Sequence, residues 1–515
     1  MILVVLILIL LAAGLLAWLT GKWNSVVARI ISLAALLADT VILIIAFALH
    51  HTYGQGTWLI DYYVPWIPRL GISLHLALDG LSVMMLFLTF FLGILAVLIS
   101  WKEIQKNVGF FHFNILWILA GLAGVFLAMD LFLFYFFWEL MLIPMYFLIG
   151  IWGHENRIYA SYKFFIFTQA GGLLMFLSIL ALYLIHGRHT GIYTFDYQAL
   201  LGTTMSPVVA FIVMVGFLMA FMVKLPVVPF HNWLPDAHTE APTAGSLILA
   251  GLMLKTGAYG LLRFIVPLFP GAAATFAPLG MVLGVIGILY GAKLAFAQTD
   301  LKRLVAYTSV SHMGFIMLGV FAFNAIAYQG VMVQIIAHGI STGALFVMVG
   351  QIQERIHTRD VARMGGLWHQ TPVLGAMGLV FAMASLGLPG LGNFIAEFLI
   401  LAGTFQTNIL MAVIASVGLI VATIYSLKII QKVFHGAVDT TLKMNDLNLR
   451  EAFVMGVMVA AIVYLGVSPQ QVLDTAKPAL AKSLEAKAHY VLKEGKVKDK
   501  QNTFYLPAVF EAEQK

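Results

Sequence analysis

Eight ionisable side chains interrupt stretches of this sequence that otherwise carry almost no charge: Asp39, Asp130, Glu139, Lys224, Lys255, His312, His338 and Glu397. Near a bilayer centre such groups cost about 2.5 to 3.5 kcal/mol each on insertion scales, so they face a partner, a water-filled cavity or an ion path. Their types suit proton transfer. Burial loosens a lysine's hold on its proton and a nearby carboxylate tightens it, so small movements within a lysine/glutamate pair decide whether the proton stays. Histidine changes charge near neutral pH and passes protons in either direction. Glu139, Lys224, Lys255, His312, His338 and Glu397 are therefore a candidate relay. Asp39 and Asp130 lie near span ends or lack a matched counterpart, and read as structural. The sequence contains no obvious metal-ligand spacing, nucleophile triad or phosphate loop.

The elements that position these groups are broken helices. In "FMVKLPVVPFHNWLPDAH" (221–238), Pro226 and Pro229 lack a backbone N–H, so the carbonyls of Met222 and Leu225 are expected to lose their helical partners beside Lys224. "SLGLPGLGNFIAEF" (385–398) repeats the device: Pro389 frees the Ser385 carbonyl, and Glu397 is expected about 12 Å along a resumed helix. Paired breaks of this kind mark inverted-repeat transporters. Adding 173 carries Lys224 to Glu397, Glu139 to His312 and Lys255 to Lys428, which suggests two related halves.

Composition supports a membrane setting. Of 515 residues, 61% are hydrophobic and 10% charged, outside the range of ordinary globular chains. There is no cysteine, which excludes disulfides, thiolate-ligated clusters and a cysteine nucleophile. A net charge of +6 does not imply nucleic acid here, because the basic residues must first be placed relative to the bilayer. Apolar runs long enough to span occur at 1–20, 27–49, 79–101, 109–128, 131–151, 161–185, 208–231, 241–264, 275–297, 303–322, 328–351, 372–403, 409–432 and 449–467. The first reads as a retained span rather than a cleaved signal.

The expected fold is an all-α polytopic membrane protein of about fourteen transmembrane helices, without strands, holding two inverted five-helix repeats, each with a broken helix. Its expected units are an N-terminal block (1–108), a first repeat (109–264), a second repeat (275–432), and a last helix with a polar tail (433–515). One set of loops carries sixteen lysines and arginines and the opposite set three, Arg69, Arg188 and Arg263, which puts both termini outside. On this count only Lys224 and Lys255 are basic residues within spans. In the tail, Leu480, Leu484, Ala488 and Val491 recur at helical spacing, as expected of an interfacial or partner-facing helix.

"WELMLIPMYFLI" (138–149), "VKLPVVPFHNWLPDAHTEAPT" (223–243), "TDLKRLVAYTSVSHMG" (299–314) and "GLPGLGNFIAEF" (387–398) resemble the antiporter-like subunits of proton-pumping NADH:quinone oxidoreductase, respiratory complex I. The likeness runs through all the spans and weakens in the loops and tail. "PWIPRLGISLHLALDGLS" (65–82), "SWKEIQK" (100–106) and "ERIHTRDVARMGGLW" (354–368) narrow it to one kind of these subunits, with Glu397 where siblings typically carry lysine and without a long lateral helix.

The resemblance implies a switchable Glu139/Lys224 pair, a hydrated link through Lys255, His312 and His338, and Glu397 as the terminal site facing the outer exit. It implies no cofactor in this chain, with FMN, iron–sulfur clusters and quinone in partner subunits. It also implies sibling antiporter-like subunits as partners, a bacterial inner membrane, and no nucleic acid. A subunit of a multisubunit sodium/proton antiporter is the alternative, and Glu397 argues against it.

Overall fold

The computed structural model describes residues 1–51, 58–437 and 444–493. In chain order, α1 (Ile2–Thr20) and α2 (Ser25–His51) lead to a hairpin of β1 (Ile60–Ile67) and β2 (Ile72–Leu78), then α3 (Gly80–Glu103) and α4 (Val108–Leu127). Next come α5 (Leu131–Leu140), α6 (Leu142–Trp152), α7 (Arg157–Thr190), the short α8 (Tyr197–Leu200), α9 (Pro207–Lys224) and α10 (Trp233–Glu240). The following span joins α11 (Thr243–Ile248), α12 (Leu254–Gly260) and α13 (Val266–Leu268) through two wide π-helical turns, Leu249–Met253 and Leu261–Ile265. The rest is helical: α14 (Pro270–Ala297), α15 (Leu301–Phe321), α16 (Ala325–Ile356), α17 (Pro372–Ser385), α18 (Gly392–Thr407), α19 (Ile409–Ile429), α20 (Leu449–Val467) and α21 (Gln470–Lys493).

Among the described residues, thirteen continuous helices are long and apolar enough to cross a membrane. The fourteenth expected span is the broken one, divided into α17 and α18. Polar residues start many of these helices. Asp79, Asp130, Asp300 and Asn324 each accept hydrogen bonds from backbone N–H groups of the first turn that have no helical partner.

Three expectations change. The seventh span does not run to residue 231: α9 stops at Lys224, and the chain crosses a non-helical stretch containing the cis Val228–Pro229 bond before α10 begins. The Met222 carbonyl is not left open either, because Val227 N–H donates to it at 2.9 Å. Strands do occur, as the antiparallel β1/β2 pair, and they lie outside the spans where backbone groups need not be satisfied within one segment.

Lipid tails offer no hydrophobic drive for helices to associate, so close packing rests on small residues. At Gly284 of α14 a Cβ would lie 2.7 Å from the Leu318 nitrogen of α15, and at Gly257 of α12 one would lie 2.6 Å from the Phe221 carbonyl oxygen of α9. The span Thr243–Leu268 and the stretch of α16 from Gly330 to Ile352 are buried throughout, whereas α1, α2, α19 and α20 leave most of their residues at least partly exposed. The core is thus built around the helices that carry Lys255 and His338.

One end of the bundle holds the hairpin. Asp130 accepts from Ser73 N at 2.8 Å and Ser73 Oγ at 3.0 Å, and α21 lies against the same end, with Ser483 Oγ donating to the Leu262 carbonyl. The predicted tail helix is therefore real but packs on its own chain through Leu480 and its neighbours. The side chains of Ala488 and Val491 lie outside the described residues. The opposite end holds ion pairs of Asp236 with Lys163 (2.6 Å) and Arg303 (3.0 Å), and of Asp300 with Arg359 (2.9 Å).

His75 of β2 is clamped between two carboxylates, Asp196 at Nδ1 and Asp61 at Nε2 (2.9 Å). Burial opposes its charge, but the two aspartates outweigh burial and hold the imidazole above its ordinary range; Asp196 is also buried, and its bond from His75 keeps its carboxyl below the usual range. The His75 contribution is complete below the free histidine value, about pH 6.5, and is lost as pH rises through the raised one. The Asp196 contribution is present above the free carboxyl value and is lost only as pH falls through the lowered one. Protection factors of the β1/β2 amides, taken relative to free-peptide exchange at each pH, should therefore fall on going from neutral to alkaline pH. His75→Gln should abolish that step.

Candidate functional site

Lys255 sits in α12 between the two π-helical turns, a backbone irregularity frequent at functional sites. Its Nζ lies 2.5 Å from His338 Nδ1 on α16 and 3.7 Å from Met313 Sδ. The His338 ring is edge-on to that of His312 on α15, with centroids 5.4 Å apart. His312 Nδ1 in turn lies 2.9 Å from Glu397 Oε1 on α18. Four of the six predicted residues, carried by four different helices, thus form one row, joined by close polar contacts except between His338 and His312, whose rings pack edge to face. All four are 0 to 1% exposed.

The other two stand apart. Lys224, at the last turn of α9, is 1% exposed, and its Nζ has no hydrogen-bond partner. It rests instead on aromatic faces, 5.2 Å from the Trp138 ring centroid and 5.6 Å from that of Phe164. Glu139 is only partly buried; it packs on α7 where a Cβ at Gly172 would come within 2.6 Å of its Oε1, and that oxygen is also without a partner. No ion pair within 4 Å joins Glu139 to Lys224 among the described residues. The expected pair is open in this conformation.

The Glu397 carboxylate reaches back to the break. The chain doubles at Gly387 and Gly390, both at positive φ, and a Cβ at Gly387 would lie 3.1 Å from Glu397 Oε2. The offset of 173 does not carry over to the backbone. Lys224 ends the half-helix before the first break, where the second break has Ser385; Glu397 is the sixth residue after the second break, where the first has His238. Lys428 lies away from the row and donates to the Phe296 and Gln298 carbonyls at 2.7 and 2.8 Å. Asp130 caps α5 as expected of a structural acid, and Asp39 is buried on α2 with neither carboxylate oxygen partnered.

Residues 128–423 match the family model described as NADH:quinone oxidoreductase/Mrp antiporter, TM. The chain is 54% identical over 489 residues to NADH-quinone oxidoreductase subunit M of Pseudomonas aeruginosa and 52% identical over 488 residues to that of Escherichia coli K12, covering 92% of this chain and 96% of each relative. The chain belongs to the subunit M family of NADH-quinone oxidoreductases. Among solved structures, a chain of respiratory complex I from Thermus thermophilus with bound NADH superposes with a TM-score of 0.84 at 30% identity, covering 95% of this chain and 99% of that one. A chain of the Mrp complex from Dietzia sp. superposes at 0.81 and 22% identity, covering 94% and 98%, a likeness of fold alone.

In this subunit M chain, sequence reasoning missed several buried polar residues. His238 is fully buried, stacked on Phe346 at 4.3 Å, with neither ring nitrogen partnered. It was hidden because the broken stretch after Lys224 reads as a loop. Lys302, counted with the loop residues, is fully buried and donates to the Ala241 carbonyl at 2.8 Å. Arg263, likewise assigned to an outer loop, lies within the π-helical turn and pairs with Asp79 at 2.6 Å. Near Lys302, a polar crevice of about 850 Å³ lined by His154, Arg157, Asp300 and Arg359 opens at the ion-paired end. Among the described residues no cluster of three or more His, Cys, Asp or Glu side chains could hold a metal ion.

Proposed function

We propose that this chain is a proton-translocating membrane-arm subunit of NADH:quinone oxidoreductase, driven from a distance by quinone reduction in partner subunits that carry FMN and iron–sulfur clusters. The observation that carries the reading is the row Lys255, His338, His312, Glu397. The row joins a base, two imidazoles and an acid, and each is shielded from bulk water, so a charge entering at one end is felt at the other. Lys224 is the gate. When Glu139 approaches it the ammonium is stabilised, and when the pair opens, as here, a proton held on Lys224 is ready to move toward Lys255. Glu397 is the terminal site.

The partners on this reading are sibling antiporter-like subunits in a bacterial inner membrane, with both termini on the periplasmic side. The two halves are inverted repeats. Leu131 N donates to Phe195 O and Tyr197 N to Met129 O at the hairpin end, and the same reciprocal pair recurs as Leu301 N to Arg359 O and Val361 N to Thr299 O at the other.

A sodium/proton antiporter shares this fold but needs oxygen ligands for a hard cation. The row between Lys224 and Glu397 is mostly nitrogen. The assembled complex, purified through this chain and sealed into vesicles, should acidify their lumen on NADH addition at the same rate in sodium-free buffer. A sodium requirement would favour the antiporter.

A further inference from the structure

His312 has a second set of contacts that the relay itself does not use. Its Nδ1 faces Glu397, and its Nε2 lies 3.2 Å from Ser385 Oγ and 3.3 Å from the Tyr425 hydroxyl. Ser385 is the last residue of α17, the position that Lys224 holds in α9, and Tyr425 comes from α19. Three helices thus converge on one imidazole. Ser385 and Tyr425 are both buried, Ser385 at 1% and Tyr425 at 0% exposure, so neither hydroxyl faces bulk solvent.

We propose that Ser385 and Tyr425 are positioning residues that ready His312 for each proton it passes. With Glu397 ionised, the imidazole donates Nδ1–H to the carboxylate, which leaves Nε2 as an acceptor. A hydroxyl donates to that lone pair while His312 is neutral and, by rotating, accepts from Nε2–H once a proton has arrived, without moving its heavy atoms. The step balances. A proton joins Nε2, Nδ1–H leaves to Glu397, and one proton has crossed the ring. Transfer from His338, whose ring is 5.4 Å away and whose Nε2 has no partner, requires His312 Nε2 to exchange a hydroxyl for the incoming donor. Two hydroxyls at similar distance make that exchange easy, because one remains while the other yields.

This assignment rests on the proton-translocating reading above, and the experiment separates the two. Ser385→Ala, Tyr425→Phe and the double variant are made in the assembled complex and compared in sealed vesicles for NADH-driven acidification, turnover and their pH profiles. Each single variant should keep at least about half of wild-type pumping, since one hydroxyl remains. The double variant should fall by roughly tenfold, with the alkaline limb of its pH profile displaced to lower pH, and Ser385→Thr should behave as wild type.

Full pumping and an unmoved profile in the double variant overturn the assignment, as does a uniform loss that follows reduced assembly. If Lys224→Ala and Glu139→Ala variants pump fully, the relay itself fails. If they lose pumping while the double variant does not, only the hydroxyl assignment fails.

Discussion

Lys224→Ala in the assembled complex is expected to lower NADH-driven proton pumping and turnover together, by roughly tenfold or more, while leaving the amount of complex unchanged. The second half of that expectation comes from the surroundings of the ammonium. Lys224 Nζ makes no hydrogen bond, and its contacts are the faces of Trp138 and Phe164. Losing those contacts costs about 0.5 to 2 kcal/mol, and losing a buried, unpaired charge returns a comparable amount, so the fold is nearly indifferent. Glu139→Ala should behave in the same way, since its Oε1 is unpartnered and its carboxylate only partly buried. A structural role for either residue predicts the reverse pattern, with pumping lost only in proportion to assembly. Quantifying purified complex alongside vesicle acidification decides between them.

Arg263→Met should destabilise the chain by about 3 to 5 kcal/mol, because it strands a buried carboxylate. Arg263 Nη2 lies 2.7 and 2.6 Å from the two oxygens of Asp79, its Nε donates to the Tyr259 hydroxyl at 3.1 Å, and Asp79 is 1% exposed. Asp79 also caps α3 through Ser82 N at 2.9 Å, so one carboxylate fixes the start of α3 and the π-helical turn that follows Lys255. The double variant Asp79→Asn with Arg263→Met keeps a good N-cap and removes both charges, and should recover most of the loss. Thermal inactivation of the purified complex measures both. A cost under about 1 kcal/mol for Arg263→Met would show that the pair is not load-sharing in this way.

Much of this was legible in the residues. The span count follows from run length, and both helix breaks follow from prolines whose missing N–H is a local fact. Five of the six predicted relay residues are indeed buried, because a charge within an apolar run has few places to go. Legibility failed where sequence position and depth diverge. Arg263 follows "YGLL" near the end of a span and was counted outside it, yet the span continues to Leu268. His238 and Lys302 were counted with loops, yet the chain re-enters as α10 and α15 starts just before Lys302, burying both. The numerical offset of 173 paired Lys224 with Glu397, whereas the residues that end the half-helices before the two breaks are Lys224 and Ser385.

The sequence by itself determined that this is a many-span membrane protein with two interrupted helices and a sparse, titratable interior, since hydropathy, proline chemistry and the cost of burying charge act within one segment. Only the tertiary structure decided the connections: that Lys255 meets His338 83 positions away, that His312 meets Glu397 85 positions away, and that Lys224 and Glu139 stand open. Those contacts depend on how closely neighbouring helices approach and rotate about one another, which is set by glycines such as Gly257 and Gly284 meeting backbone across an interface. A helix carries its side chains in a fixed pattern, but which of them reaches across to a partner is a property of the pair.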